Sequence, residues 1–166
     1  WIPTNDIANA LTPSATATQL AMFAYGDSGN DGTPTSVKNL VNSSGVVAAD
    51  VTGVGTARYG LAAAGYGDDK IVFAFGTDDS ANTNVKNLAN NSGVIAADVT
   101  GVGTARTNLA AATYGQDKAV FGYGETSSYL SLKNLANNAG VIAADVTGVG
   151  TARAQLAATG YGDLTA

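Results

Sequence analysis

From Lys70 to Gly76 the chain reads KIVFAFG, with Ile71, Phe73 and Phe75 alternating against Val72, Ala74 and Gly76. A period of two predicts a strand with one aromatic face and one small face. The same alternation sets Phe121 and Tyr123 against Val120 and Gly122, and Phe23 and Tyr25 against Met22 and Ala24. A face of Ala and Gly lets a neighbouring sheet approach closely. LAAAGYG, residues 61–67, predicts a short central strand. A helix through its alanines is the weaker reading, because every such run is short and glycine interrupts it. The Gly67-Asp68 step that follows is hairpin chemistry, since glycine tolerates positive φ.

These patterns recur. AADVTGVGTAR occupies residues 48–58, 96–106 and 143–153, so Arg58, Arg106 and Arg153 are 48 and 47 residues apart. Lys38, Lys86 and Lys133, each followed by Asn-Leu, keep the same separations. One module contains an Ala-rich strand, an aromatic strand, a variable polar loop, an Asn-rich strand and a final strand ending in TGVGTAR. A repeat of this length carrying short strands predicts an all-β fold of tandem, four-stranded modules. The chain enters its first module at the aromatic strand, Ala21 to Gly26, and leaves its last after a lone Ala-rich strand, Ala154 to Asp163. Those two fragments are complementary halves of one module, giving three modules with one shared between the termini.

The order GTAR, LAAAGYG, KIVFAFG resembles a kelch-type β-propeller blade, and the resemblance covers Ala21 to Asp163. It departs in having a single Gly where kelch repeats carry Gly-Gly, and no Trp before the Arg. The wording is closer still to kelch-like tandem repeats of tail and virion proteins of bacterial viruses and of environmental sequences. The resemblance implies propeller blades and a structural or adhesive role. Propellers close with four to eight blades. Three modules therefore imply completion by a second chain into a ring, by strand addition into a fibre, or by further modules of a longer array. Residues 1–18 do not match the repeat and read as an N-terminal arm. It is either a flexible lead-in or a segment whose Trp1 and Ile2 dock on a neighbour. Residues 19–166 form the repeat domain.

Composition narrows the function. The chain has no Cys and no His, which removes disulfides, thiolate metal sites and the usual general base near neutral pH. The net charge is −5 with a pI near 4.3, which argues against nucleic acid and anionic membranes as partners. No apolar run is long enough for a membrane-spanning helix. Only 13% of residues are charged, about half the usual ~25%. The repeated charges are therefore the ones to explain.

Asp50 and Arg58, Asp98 and Arg106, and Asp145 and Arg153 stand eight residues apart across the glycine turn. They read as structural groups, the Arg bridging a carboxylate and backbone carbonyls between modules with its planar fork of donors. The G-x-G of TGVGTAR lacks the third glycine and the following helix of a dinucleotide loop. It reads as a tight turn between modules. GDSGNDG, residues 26–32, places Asp27 and Asp31 at calcium-loop positions, but Gly29 and Lys38 stand where ligands are needed. A surface hairpin loop is the better reading. Variable loops on a rigid scaffold are where recognition sits, which makes Asp78, Asp79 and Tyr129 recognition candidates. Tyr66, Tyr114 and Tyr161 read as packing or intermodule contacts, or as sugar-stacking platforms.

The sequence thus predicts a non-catalytic structural protein that needs no cofactor. It would be a subunit of an extracellular or virion assembly whose partner is another copy of itself. The alternative is a glycan-binding propeller, with cell-surface glycans as partner.

Overall fold

The computed structural model describes residues 21–29, 31–67 and 69–161. The expected arm 1–18 and Asp68 of the first expected hairpin lie outside these residues. The described chain is all-β, with eight strands: β1 (Ala21–Asp27), β2 (Pro34–Val41), β3 (Ala62–Tyr66), β4 (Lys70–Ala74), β5 (Lys86–Ala89), β6 (Ala110–Tyr114), β7 (Lys118–Gly122) and β8 (Lys133–Ala136). They form three small antiparallel sheets, β1-β2, β3-β4-β5 and β6-β7-β8. Among the described residues no sheet closes on itself and no helix is long and apolar enough to cross a membrane.

The Ala-rich runs at 62–66 and 110–114 are strands, whereas the expected lone strand of the last module does not form over its described residues 154–161, which lack a strand partner. β3 pairs with β4 from Ala62↔Ala74 to Tyr66↔Lys70, and β6 pairs with β7 from Ala110↔Gly122 to Tyr114↔Lys118. Gly67 and Gly115, at φ 53° and 54°, turn the two hairpins. The fourth expected strand is only half formed. Residues 95–99 touch β5 through two bridges, Ala89↔Ile95 and Lys86↔Val99, with one more residue on the outer segment than on β5. That excess is a bulge. The Asn87 amide fills it, donating to Ala96 O at 3.0 Å and to the Asp98 carboxylate at 2.8 Å. The same bridges recur as Val41↔Val47 with Lys38↔Val51, and Ala136↔Ile142 with Lys133↔Val146.

The aromatic strands depart from simple alternation. Phe73 packs with Tyr25, Ala89 and Ile95 on the side facing the first sheet, whereas Phe75 packs with Val72, Ala74 and Phe121 toward the third. The cause is local. Tyr25, Phe75 and Tyr123 have φ of 64°, 67° and 64°, which ends the pleat and turns each ring to the opposite face. Such a conformation costs an aromatic residue about 1–3 kcal/mol. Here it gives each sheet an aromatic on both sides. Tyr25–Phe73 and Phe75–Phe121 then meet at tilted or edge geometry, with centroids 5.5 and 5.7 Å apart.

Candidate functional site at the seams between sheets

The most elaborate polar chemistry lies where one sheet meets the next. Arg58 lies in the turn from the first sheet to the second and is fully buried. Its carbonyl accepts from Gly26 N, and its guanidinium lies 4.2 Å over the Tyr25 ring, which ties the turn to the first sheet. The other edges of the fork point to the second sheet. Nε donates to Phe75 O at 3.0 Å and Nη2 to Asn87 Oδ1 at 2.7 Å, while Nη1 closes on Thr56 O. Two residues earlier, Thr56 donates its N–H and its hydroxyl to Asp98.

The next seam repeats this set. Arg106 lies 4.1 Å over Phe75, Gly76 N donates to its carbonyl, and Nε donates to Tyr123 O at 2.8 Å. Thr104 donates its N–H and hydroxyl to Asp145, which also accepts from Asn134. Lysines cross in the same direction, Lys38 Nζ reaching Gly93 O and Lys86 Nζ reaching Gly140 O, each at 2.7 Å. One difference separates the seams. Among the described residues Arg106 Nη2 and Asn134 Oδ1, counterparts of a bonded pair in the first seam, are buried without a partner.

Burial pulls the Arg106 guanidinium down to about 10, against the Coulomb pull of Asp145, so it stays cationic at neutral pH. Burial also lowers Arg58, opposed by Tyr25 and Asp98. Burial by itself raises Asp98 and Asp145. Hydrogen bonds from threonine and asparagine and the facing arginine overcome it and leave both carboxyls lowered.

The carboxylate that each buried Arg faces belongs to the sheet ahead, not to the segment eight residues before it. Arg58 faces Asp98 and Arg106 faces Asp145, Nη1 to Oδ1 being 4.0 Å in the second case. Asp50 instead takes a single bond from Asn39 Nδ2. The reason is direction: TGVGTAR carries the chain across the seam, so the Arg meets the Asp of the sheet it enters. The carbonyl-bridging part of the Arg reading describes Arg58 and Arg106. Three further groups belong to the site and were not singled out: the Asn of each Lys-Asn-Leu, the Thr of each GTAR, and the aromatic before each Gly76-type glycine. Their signal was recurrence at the same period as the charges.

The remaining candidates lie apart from the seams. Asp27 accepts from Gly29 N, and Asp31 from Thr33 N and Oγ1, all inside the exposed β1–β2 loop. No group of three or more metal-ligating side chains occurs among the described residues. Asp78 accepts from Ser80 and Ala81 within its own loop, Asp79 accepts from Tyr59 OH, and Tyr129 is exposed on the β7–β8 loop. Asn82 Nδ2 donates to Glu125 O, joining the second and third loops. Tyr66 is buried packing. Tyr114 and Tyr161 are exposed and line a cleft of about 830 Å³ with Ala63, Ala111, Gln116 and Thr159. No protein-family model matches the chain, and no curated protein matches it.

Exposure separates two kinds of apolar surface. Val46, Val94 and Val141 are exposed in all three sheets, so their exposure belongs to the module. Phe23 is 63% exposed, whereas its counterparts Phe73 and Phe121 are 3% and 0%. Val47 is 51% exposed against 2% for Ile95 and 3% for Ile142. The outer face of the first sheet thus bares what the other two sheets bury.

Proposed function

We propose that this chain is a non-catalytic structural repeat protein, a subunit of an extracellular or virion assembly such as a fibre or appendage. In this reading the sheets are kelch-like propeller blades, completed between chains by strand exchange or ring closure. The observation that carries it is the contrast of Phe23 and Val47 with Phe73, Phe121, Ile95 and Ile142. The first sheet exposes large apolar side chains whose counterparts form the core of the two seams. Covering a Phe is worth roughly 1.5–3 kcal/mol, so such a face favours association. The repeated Asp and Arg support a structural role, since they bond Thr, Asn and backbone carbonyls across sheets. The extracellular or virion setting rests on the resemblance of the repeated wording to tail and virion proteins of bacterial viruses. Light scattering over a concentration series, with negative-stain microscopy, tests the reading. Rings or filaments are expected, and a monomer at every concentration overturns it.

A second reading, a glycan-binding propeller, is favoured by exposed Tyr129 beside adjoining polar loops and by the Tyr114–Tyr161 cleft. A glycan array tests it, with binding expected to fall in Tyr129→Ala or Tyr161→Ala.

A further inference from the structure

We infer that two copies of this chain join head to tail through a third seam, the 151–161 segment of one copy seating on the outer face of β1 and β2 of the next. This rests on the assembly reading above and names its contacts. Among the described residues each half of that seam is already in place and unused.

The donor half is the end of the third sheet. Gly124 N donates to Arg153 O, and the Arg153 guanidinium lies 3.8 Å over Tyr123, as Arg58 lies over Tyr25. Nη1 closes on Thr151 O. Among the described residues Nε and Nη2 have no partner, and neither does the Thr151 hydroxyl, while Arg153 and Thr151 are exposed. Gln155 N donates to Asn108 O, as Asn108 N donates to Gly60 O. The segment after Arg153 is thus set beside β6 as the β6 segment is set beside β3. Residues 157–161, AATGY, follow Leu156 as AAATY of β6 follows Leu109. Lys133, in the place of Lys38 and Lys86, is exposed.

The acceptor half is the first sheet. Among the described residues β1 has β2 on one side and no strand on the other, where β4 has β3 and β7 has β6. Asp50 and Asn39 are held to each other at 2.8 Å, in the arrangement that Asp98–Asn87 and Asp145–Asn134 use to receive a Thr and an Arg. No threonine reaches Asp50 among the described residues. Gly45 is exposed, whereas Gly93 and Gly140 are buried against Leu40 and Leu88 of the preceding sheet and their carbonyls hold a Lys.

Superposing the first two seams on the third assigns every contact. Thr151 donates to Asp50 of the next copy, and Arg153 to its Tyr25 O and Asn39 Oδ1. Lys133 reaches its Gly45 O, and Tyr123 meets its Phe23. Residues 157–161 add to β1 antiparallel with Thr159 opposite Met22, the place of Ala64↔Val72 and Ala112↔Val120. The charges complement, Arg153 and Lys133 on one face and Asp50 on the other. A stack of three aligned seams makes this contact heterologous, so it closes a ring or extends a filament.

The test uses two end-blocked full-length chains. Phe23→Asp with Asp50→Asn blocks the acceptor half, and Thr151→Asp with Arg153→Glu blocks the donor half without supplying the blocked acceptor a charge partner. In sedimentation velocity each variant alone is expected to be a monomer, and an equimolar mixture a 1:1 heterodimer with nothing larger. A variant that associates by itself, or a mixture that stays monomeric, overturns the joint. Wild-type association that survives in both variants overturns the joint but leaves the assembly reading standing. A wild-type monomer overturns both. Because the chain has no Cys, Met22→Cys with Thr159→Cys reads the register directly. Oxidation is expected to give a reducible ladder of linked chains. A disulfide within one chain, or none, overturns the strand pairing.

Discussion

The Thr56 hydroxyl donates to an Asp98 carboxylate oxygen at 2.6 Å across 42 residues of chain. That bond fastens the turn leaving the first sheet to the bulge of the second. Removing the carboxylate takes the acceptor from the Thr56 N–H and hydroxyl and one of the two acceptors from the Asn87 amide. Asp98→Ala is expected to lower stability by about 1–3 kcal/mol, a fall of roughly 2–4 °C in Tm per kcal/mol for a chain of this size. Asp50→Ala supplies the contrast. Its carboxylate holds only Asn39, so in dilute solution the change is expected to stay within about 0.5 kcal/mol. Calorimetry on both variants checks the pair.

Arg106 is fully buried and bridges Phe75 to Tyr123 O, with the Asp145 carboxylate 4.0 Å away. Arg106→Ala leaves that carbonyl and carboxylate facing a hole and is expected to lower Tm strongly, by about 3–5 kcal/mol of stability. Arg106→Lys keeps the charge but loses the fork and the stacking plane, and should fall between. Arg153→Ala, at an exposed site, is expected to leave the melt of a dilute sample nearly unchanged. An unaltered melt in Arg106→Ala would remove the bridging role.

Acid should loosen the seams. Asp98 and Asp145 are held below the usual carboxylate value when folded. Their contribution is therefore complete above the unfolded pKa of about 3.9 and is lost as pH falls through the folded values. The loop carboxyls Asp31, Asp69, Asp78 and Asp117 shift in the same direction. Tm is expected to be flat from pH 7 to about 5 and to drop below about 4. In Asp98→Asn with Asp145→Asn the drop should be shallower and the plateau lower, read by circular dichroism melts.

Glycine substitutions separate close packing from mere turn chemistry. A Cβ at Gly101 would collide with the backbone carbonyl of Asn84, while a Cβ at Gly122 meets nothing within 4 Å. Neither residue has positive φ. Gly101→Ala is expected to cost about 1–3 kcal/mol by forcing the turn off β5's approach. Gly122→Ala should be neutral or stabilise by up to about 1 kcal/mol by restricting the unfolded chain. Denaturation midpoints measure both.

Much of this was legible before any coordinates. Alternation at Ile71–Gly76, short alanine runs broken by glycine, and recurrence of Lys-Asn-Leu and TGVGTAR are local signals, and strands followed from them. Three things were not legible, each for its own reason. That Asp98 and not Asp50 faces Arg58 depends on which sheet the turn enters, a property of packing rather than of spacing. The left-handed φ of Phe75 opposes the ordinary preference of an aromatic residue, and only packing on both neighbouring sheets supports it. The bulge beside β5 arises from an Asn side chain replacing backbone bonds, which alternation cannot foresee.

Because both seams use the same Tyr or Phe, Arg, Asn, Thr and Asp, one sheet can stand in for another at a seam. Excising residues 59–106 would join Arg58 to Thr107, set Arg58 against Tyr123 O and Asn134, and present Thr56 to Asp145. The aromatic, Arg, Thr and Asp at the new boundary would meet counterparts of their present neighbours, while Gly32 would lose Tyr59 and Asp79 from beside it. The shortened chain is therefore expected to keep one working seam, and a circular dichroism melt of that deletion checks it.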